Sequence, residues 1–205
     1  MELKRVVVTG LGAVTPVGNN PQETWENLLA GKSGAAPITQ CDCSKFKTHF
    51  ACEVKDLDIN QYLDRKESRK IDRYTQLALI SAIQGIEDSG LNLDIEDKNR
   101  IGVVYGVGIG GIRTFEDEVV YYGQHIEDVP KFSPFFIPKM IADIASGHIS
   151  IRFGLHGPNY TTTSACASSC NAVASAFNLI RLGKANVMVT GGSESPICAC
   201  GVGGF

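Results

Sequence analysis

Short β-branched apolar runs alternate along this chain with longer segments whose apolar positions recur every three or four residues. That is the pattern of strands buried between helical layers, and the fold class it predicts is α/β. Arg5 to Thr9, with Val6-Val7-Val8 at its centre, predicts a first strand ending in Gly10-Leu11-Gly12. Pro21 to Leu29 predicts a helix, with Pro near its start and Gly31 beyond its end. Lys32 to Asp64 is loop-rich. Tyr74 to Asp88 carries Leu77, Ala78, Ile80, Ile83 and Ile86 at helical spacing before Gly90, and a strand over Ile101 to Val107 follows. Pro138 to Phe153 predicts one amphipathic helix stopped by Gly154, with Ile141, Ile144, Ala145, His148 and Ile151 along one face. A β-prone run Tyr160 to Thr163, a small-residue helix from Ala167 to Leu182 stopped by Gly183, and a strand Val187 to Thr190 complete the series. No low-complexity linker or internal repeat divides it.

Composition narrows the classes. With 205 residues, 43% of them hydrophobic and 20% charged, the chain can bury a substantial core. A net charge of −3 provides no domain-wide basic excess to displace counterions, which argues against a nucleic-acid binder. No apolar stretch is long enough to span a membrane, and the N-terminal run is too short for a signal-peptide core. Seven cysteines without an export signal are expected as reduced thiols in a cytoplasmic protein rather than as a disulfide framework.

The chemistry concentrates at Thr161-Thr162-Thr163-Ser164-Ala165-Cys166-Ala167-Ser168-Ser169, where a β-branched strand passes into a small-residue helix. Cys166 falls at the transition. A thiol at a helix N-terminus faces unpaired backbone N–H groups and the positive end of the helix dipole, both of which favour the thiolate. Ala165, Ala167 and Ser168 are small enough to let a carbonyl approach the sulfur, and amides at the turn could stabilise an oxyanion. On local pattern alone, an inert core cysteine fits Cys166 about as well. Cys170, one turn onward, is expected to be such a core residue.

Two other patterns compete. Gly106-x-Gly108-x-x-Gly111 after a strand matches a dinucleotide fingerprint, but Tyr121 to Pro138 is polar and broken by Pro130, Pro134 and Pro138 where a second strand is needed. Cys41-x-Cys43 with Cys198-x-Cys200 could form a four-thiolate metal site, although the spacing is tighter than the usual knuckle. Neither a cofactor nor a metal is expected. Lys66, Arg69 and Lys70 recur at spacings of three and four, so that they share one helix face and make a basic patch on an acidic chain. The patch suits docking of an acidic partner, or is simply a solvated face.

Ser-Ala-Cys-Ala-Ser-Ser at 164 to 169 resembles the active-site motif of the elongating β-ketoacyl-[acyl carrier protein] synthases of the thiolase-like superfamily. Val7-Val8-Thr9-Gly10-Leu11-Gly12, Thr15-Pro16-Val17-Gly18, Ser133 to Pro138, Gly147 to Ile151, Gly154 to Asn159, Gly191-Gly192-Ser193-Glu194 and Gly201 to Phe205 resemble the synthase II type in the same order. Ser164 stands where the family usually has Thr, which keeps a hydroxyl. The resemblance implies a thiolase-like layered fold with a mixed sheet between helical layers, and residues 1–205 as an N-terminal half-domain. It implies an enzyme of fatty acid elongation, in which Cys166 takes an acyl group that is then condensed with malonyl-carrier protein with loss of CO2. It further implies that Ile109 gates the acyl tunnel, that Phe205 lines it, and that Phe136 reaches it from the other subunit of a homodimer. Lys66, Arg69 and Lys70 match its acyl-carrier-protein docking site.

Family members run to about twice this length, and their C-terminal half supplies two histidines, a lysine and a Gly-rich loop. A C-terminal half is therefore an expected partner, and the chain alone is expected to acylate rather than condense. His49, His125, His148 and His156 are not matches for the missing pair; His148 has the position of a core histidine. The alternatives are a non-catalytic remnant that still binds the carrier, and a polyketide-type ketosynthase.

Overall fold

The computed structural model describes residues 3–205. Its helices in chain order are α1 (Pro21–Leu29), α2 (Arg65–Ser68), α3 (Arg73–Ser89), α4 (Ile112–Gln124), α5 (Phe136–Met140), α6 (Ile144–Phe153), α7 (Ser168–Arg181) and α8 (Ala199–Gly204). Its strands are β1 (Ala36–Pro37), β2 (Phe50–Ala51), β3 (Ile101–Gly106), β4 (Asn159–Thr162) and β5 (Val187–Gly192). β1 and β2 form a short antiparallel pair. The other three make a parallel sheet in the order β4-β3-β5, with Val103 opposite both Asn159 and Val189.

β3 is central and all six of its residues are buried, which accounts for its uninterrupted apolar reading. Ile101, Val103, Tyr105 and Val107 point to one side, into a core with Tyr74, Ala78, Leu79 and Ala82 of α3 and Ala145 and Ile149 of α6. Leu79 is fully buried, so Leu79→Ala would cost about 2–5 kcal/mol. The opposite face meets α7. A Cβ on Gly106 would enter the backbone of Ser168 and Ser169, so the start of α7 rests directly on the end of β3. α3 has the signals expected of it: the Asp72 side chain accepts from the Tyr74 N–H at one end, and Gly90 is left-handed (φ 64°) at the other.

Three expectations fail. Residues 5–9 form no strand, and Val7 and Val8 are 58% and 79% exposed. The segment is laid on α3 instead: Leu11 N–H donates to Asp88 (2.8 Å), Ala13 N–H to Gln84 (3.0 Å), and Gly10 and Gly12 approach the α3 backbone closely enough that a Cβ would collide with it. A cavity of about 580 Å³, lined by Val6, Val8, Val173, Phe177, Val187 and Val189 among others, separates it from the β5 edge.

The helix expected over Pro138 to Phe153 is two helices. Ile141 is extended (ψ 137°) and its carbonyl accepts the Tyr74 hydroxyl at 2.6 Å, a commitment incompatible with a continuous helical ladder. The stripe facing the core on α6 is Ala145, Ser146 and Ile149, whereas Ile151, expected on that stripe, is 77% exposed.

Candidate functional site

Three loops leave the carboxyl ends of the parallel strands, where open α/β sheets bind their ligands. The loop after β4 carries Cys166, the loop after β3 is Val107 to Gly111, and the segment after β5 carries Glu194.

The cysteine loop is a sharp elbow. After β4 the chain turns through Ser164 and Ala165 into a 3₁₀ turn, Ala165–Ala167, that runs straight into α7. Ala165 has φ 50°, a left-handed conformation that costs a non-glycine residue roughly 1–3 kcal/mol. Ser168 holds it there. Its buried hydroxyl accepts the Ser164 N–H (2.9 Å) and donates to the Ala165 carbonyl (2.7 Å), bracketing the strained residue from both sides. Thr162 Oγ1 donates to the Ser168 carbonyl (2.9 Å), and Asn171 Nδ2 donates to Ser164 Oγ (2.6 Å). Cys166 is thereby presented as an exposed thiol immediately before a 14-residue helix whose start receives no side-chain cap.

Three of the cysteines outside the elbow have raised thiols. Cys41 is pushed up to about 11, by burial first and then by the Cys43 thiol 3.2 Å away. Cys198 is raised by burial, and Cys200 by its hydrogen bond to the Glu116 carboxylate. Raised thiols hold less thiolate and attack less readily at neutral pH. Cys170 is exposed, contrary to its expected core position. The helix buries only the stripe Ser168, Ala172 and Ala176 against the sheet.

The glycine loop after β3 is closed to a pyrophosphate. The amides of Gly108 and Ile109 donate to Glu194 Oε2 (both 2.8 Å) and that of Gly110 to Oε1 (3.0 Å). The donors a dinucleotide fingerprint needs are already spent on this carboxylate. Among the described residues no three of His, Cys, Asp and Glu are disposed to hold a metal ion. No helix among them is long and apolar enough to cross a membrane.

The remaining expected site residues are dispersed. Ile109 is half exposed beside the elbow, where a Cβ on neighbouring Gly108 would lie 3.6 Å from the Ala165 carbonyl. Phe136 stacks with Phe115 (centroids 6.3 Å) and Phe132 (5.6 Å) in an aromatic surface on α4 and α5. Phe205 is 92% exposed. Lys66, Arg69 and Lys70 are all exposed; α2 ends at Ser68, so only Lys66 lies within it, while Arg69 caps it and Lys70 sits over the Phe135 ring at 5.7 Å. Glu67 is drawn away to Arg152 (3.0 Å), which leaves the three cations without an ion pair among the described residues. His148 is half-buried, and burial holds its imidazole below the usual range against the pull of Glu67.

Sequence reasoning missed the roles of Ser168 and Glu194. Ser168 looked merely small, and Glu194 was only part of a glycine motif. Position was the available signal for Glu194: an acid just beyond a buried parallel strand, level with a glycine-rich loop.

The chain is similar to known proteins over nearly its whole length. Residues 3–205 match the family model described as "Beta-ketoacyl synthase, N-terminal domain". The 3-oxoacyl-[acyl-carrier-protein] synthase 2 of Staphylococcus aureus (strain COL) is 42% identical over 203 residues, covering 98% of this chain and 48% of that protein. The protein of the same name from Synechocystis sp. is 43% identical over 206 residues, covering 100% of this chain and 49% of its own length. The chain thus spans about half the length of the curated relatives it matches. Among solved structures, the ishigamide ketosynthase/chain length factor superposes with a TM-score of 0.91 at 25% identity, over 99% of this chain and 50% of that one. A type II PKS ketosynthase in complex with its acyl-carrier protein and bound to the hexaketide superposes at 0.83 and 26%, over 98% and 53%.

Proposed function

Because this chain belongs to the β-ketoacyl synthase family and spans its N-terminal domain, we propose that it is the acyl-accepting part of a 3-oxoacyl-[acyl carrier protein] synthase of fatty acid elongation, with Cys166 as nucleophile. The observation that carries this reading is the elbow: an exposed thiol at an uncapped helix start, behind a left-handed Ala165 stapled by Ser168. The Cys166 thiolate attacks the carbonyl carbon of an acyl thioester on the carrier's phosphopantetheine. The tetrahedral oxyanion collapses, the acyl–sulfur bond to the carrier breaks, and the carrier thiolate leaves and is protonated. The product is an acyl-Cys166 thioester. Of the amides in this turn, those of Ala167 and Ser168 already donate to the Ser164 and Ala165 carbonyls, so the Cys166 N–H is the one assigned to the oxyanion.

Condensation would follow when malonyl-carrier protein loses CO2 and its carbanion attacks the Cys166 thioester, breaking the acyl–sulfur bond, releasing the Cys166 thiolate and giving a 3-oxoacyl product on the carrier. That step draws on groups in the part of the relatives' length outside these 205 residues, and a C-terminal half is the partner it requires. Lys66, Arg69 and Lys70, exposed and without an ion pair among the described residues, are the docking face for an acidic acyl carrier protein. Ile109 and Phe205 are assigned to the acyl channel. Phe136, on the exposed aromatic surface of α4 and α5, is assigned to the interface of a homodimer. Seven free thiols accord with a cytoplasmic setting.

A cysteine-directed condensing-enzyme inhibitor tests the assignment. Peptide mapping should find the label on Cys166. Equal labelling of Cys52, Cys170 and Cys200, which are also exposed, would mean that accessibility alone governs reactivity and would remove the case for the elbow.

A further inference from the structure

The turn after β3 is held more tightly than a glycine-rich loop needs to be. Past the buried Val107 the chain runs Gly108-Ile109-Gly110-Gly111, so Ile109 is the single side chain in four residues. On the β5 side, Glu194 receives three consecutive amides at 2.8, 2.8 and 3.0 Å. On the α5 side, Gly111 N–H donates to the Met140 carbonyl (3.1 Å), and Gly110, at φ 82°, lies so close that a Cβ would stand 2.8 Å from that same oxygen. The turn also touches the elbow. A Cβ on Gly108 would meet Glu194 at 2.8 Å and the Ala165 carbonyl at 3.6 Å, which wedges the turn between the carboxylate and the residue preceding Cys166.

We propose that Glu194 is a positioning residue for acyl-chain selection: by holding the amides of Gly108, Ile109 and Gly110 it fixes where the Ile109 side chain stands relative to Cys166. Chain length is then decided by the side chain at 109 on a rigid support, rather than by movement of the turn. The inference rests on the acyl-transfer reading of Cys166 and adds the residue that sets its selectivity. A carboxylate suits the task because it only accepts, and its two oxygens can take three N–H donors at once. A glutamine of the same shape has one accepting oxygen and turns its own N–H groups toward the amides.

Two measurements on the 205-residue chain test the assignment. The first is amide hydrogen exchange in Glu194→Gln, where residues 108–110 should exchange at least about tenfold faster while α3 is unaffected. Unchanged exchange at 108–110 overturns the proposal. The second is acylation of Cys166 by medium-chain and long-chain acyl-pantetheine thioesters, compared across Ile109→Phe, Glu194→Gln and the double variant. With Glu194 present, Ile109→Phe should disfavour the long chain against the medium one by about tenfold; with Gln at 194 most of that discrimination should disappear, the non-additivity expected of coupled residues. A merely structural role would slow both chain lengths alike and leave their ratio unmoved, and that result overturns the proposal even where exchange is faster. If Cys166 accepts no acyl group in any background, the acyl-transfer reading falls and this one with it; an unchanged ratio with normal acylation removes this one alone. Should Glu194→Gln fail to fold, Glu194→Asp keeps the charge with a shorter reach and should give intermediate exchange and an intermediate ratio.

Discussion

Ser168→Ala removes one oxygen atom from the elbow and should affect chemistry more than folding. The hydroxyl makes two hydrogen bonds, to the Ser164 N–H at 2.9 Å and the Ala165 carbonyl at 2.7 Å. Each has a net worth of about 0.5–1.5 kcal/mol. Ser164 and Ala165 are exposed, so water can take both freed groups, and the loss in stability should stay near 1–2 kcal/mol. The left-handed Ala165 stores roughly 1–3 kcal/mol, a quantity of the same size. Without the staple, Ala165 can relax toward an ordinary conformation and carry Cys166 with it. If that 1–2 kcal/mol appears in the barrier for thiol attack, acylation slows by about 5- to 30-fold. The rate of acyl-adduct formation by intact mass, beside a urea titration, reads both effects, with Ser169→Ala as a neighbouring control. An acylation rate within about twofold of the unmutated chain, with normal stability, would refute the idea that Ser168 holds the nucleophile in place.

Other outcomes follow from the same structure. Gly106→Ala should destabilise by about 2–3 kcal/mol or more, because its Cβ would enter the Ser168–Ser169 backbone; an unshifted urea midpoint would contradict direct seating of α7 on β3. Charge reversal of Lys66 and Arg69 to Glu should weaken carrier-protein binding at least about tenfold at low salt, and the deficit should shrink as salt rises; equal affinity by calorimetry would remove the docking face. His148 is held below its ordinary value of 6.5 by burial, so the unfolded chain binds the extra proton first. Its contribution to stability is therefore full above pH 6.5 and is lost as pH falls from there through the depressed folded value; His148→Gln should flatten that part of a stability-against-pH curve.

Most of the regular structure was legible in the sequence because local signals and tertiary packing agree. α3 has its apolar stripe, its Asp72 cap and its Gly90 stop, and β3 has an unbroken apolar run because both its faces are covered. Where they disagree, the pattern misled. Val6-Val7-Val8 has the β propensity of a strand, but a strand needs a partner ladder, and the chain there is tied to Asp88 and Gln84 of α3 instead. The break at Ile141 depends on a hydroxyl 67 residues away in sequence, which no periodicity discloses. At the site, the strand-to-helix turn at Cys166 is a local feature, but that pattern fits an inert core cysteine about as well, and the resemblance of residues 164–169 to a known motif is what singles it out. The hold on Ala165 is local, made by Ser168 three to four residues onward, but the left-handed backbone it braces has no signature in the residue types; the three amides gathered by Glu194 across 84 to 86 residues exist only once β3 and β5 lie side by side.

Direct acyl transfer tests whether the elbow presents Cys166 as the acyl acceptor. The chain would be incubated with an acyl thioester of carrier protein and the modified cysteine mapped. A single acyl group is expected, on Cys166, and none in Cys166→Ala. An acyl group that persists in Cys166→Ala, or that is shared among Cys52, Cys170 and Cys200, would contradict it.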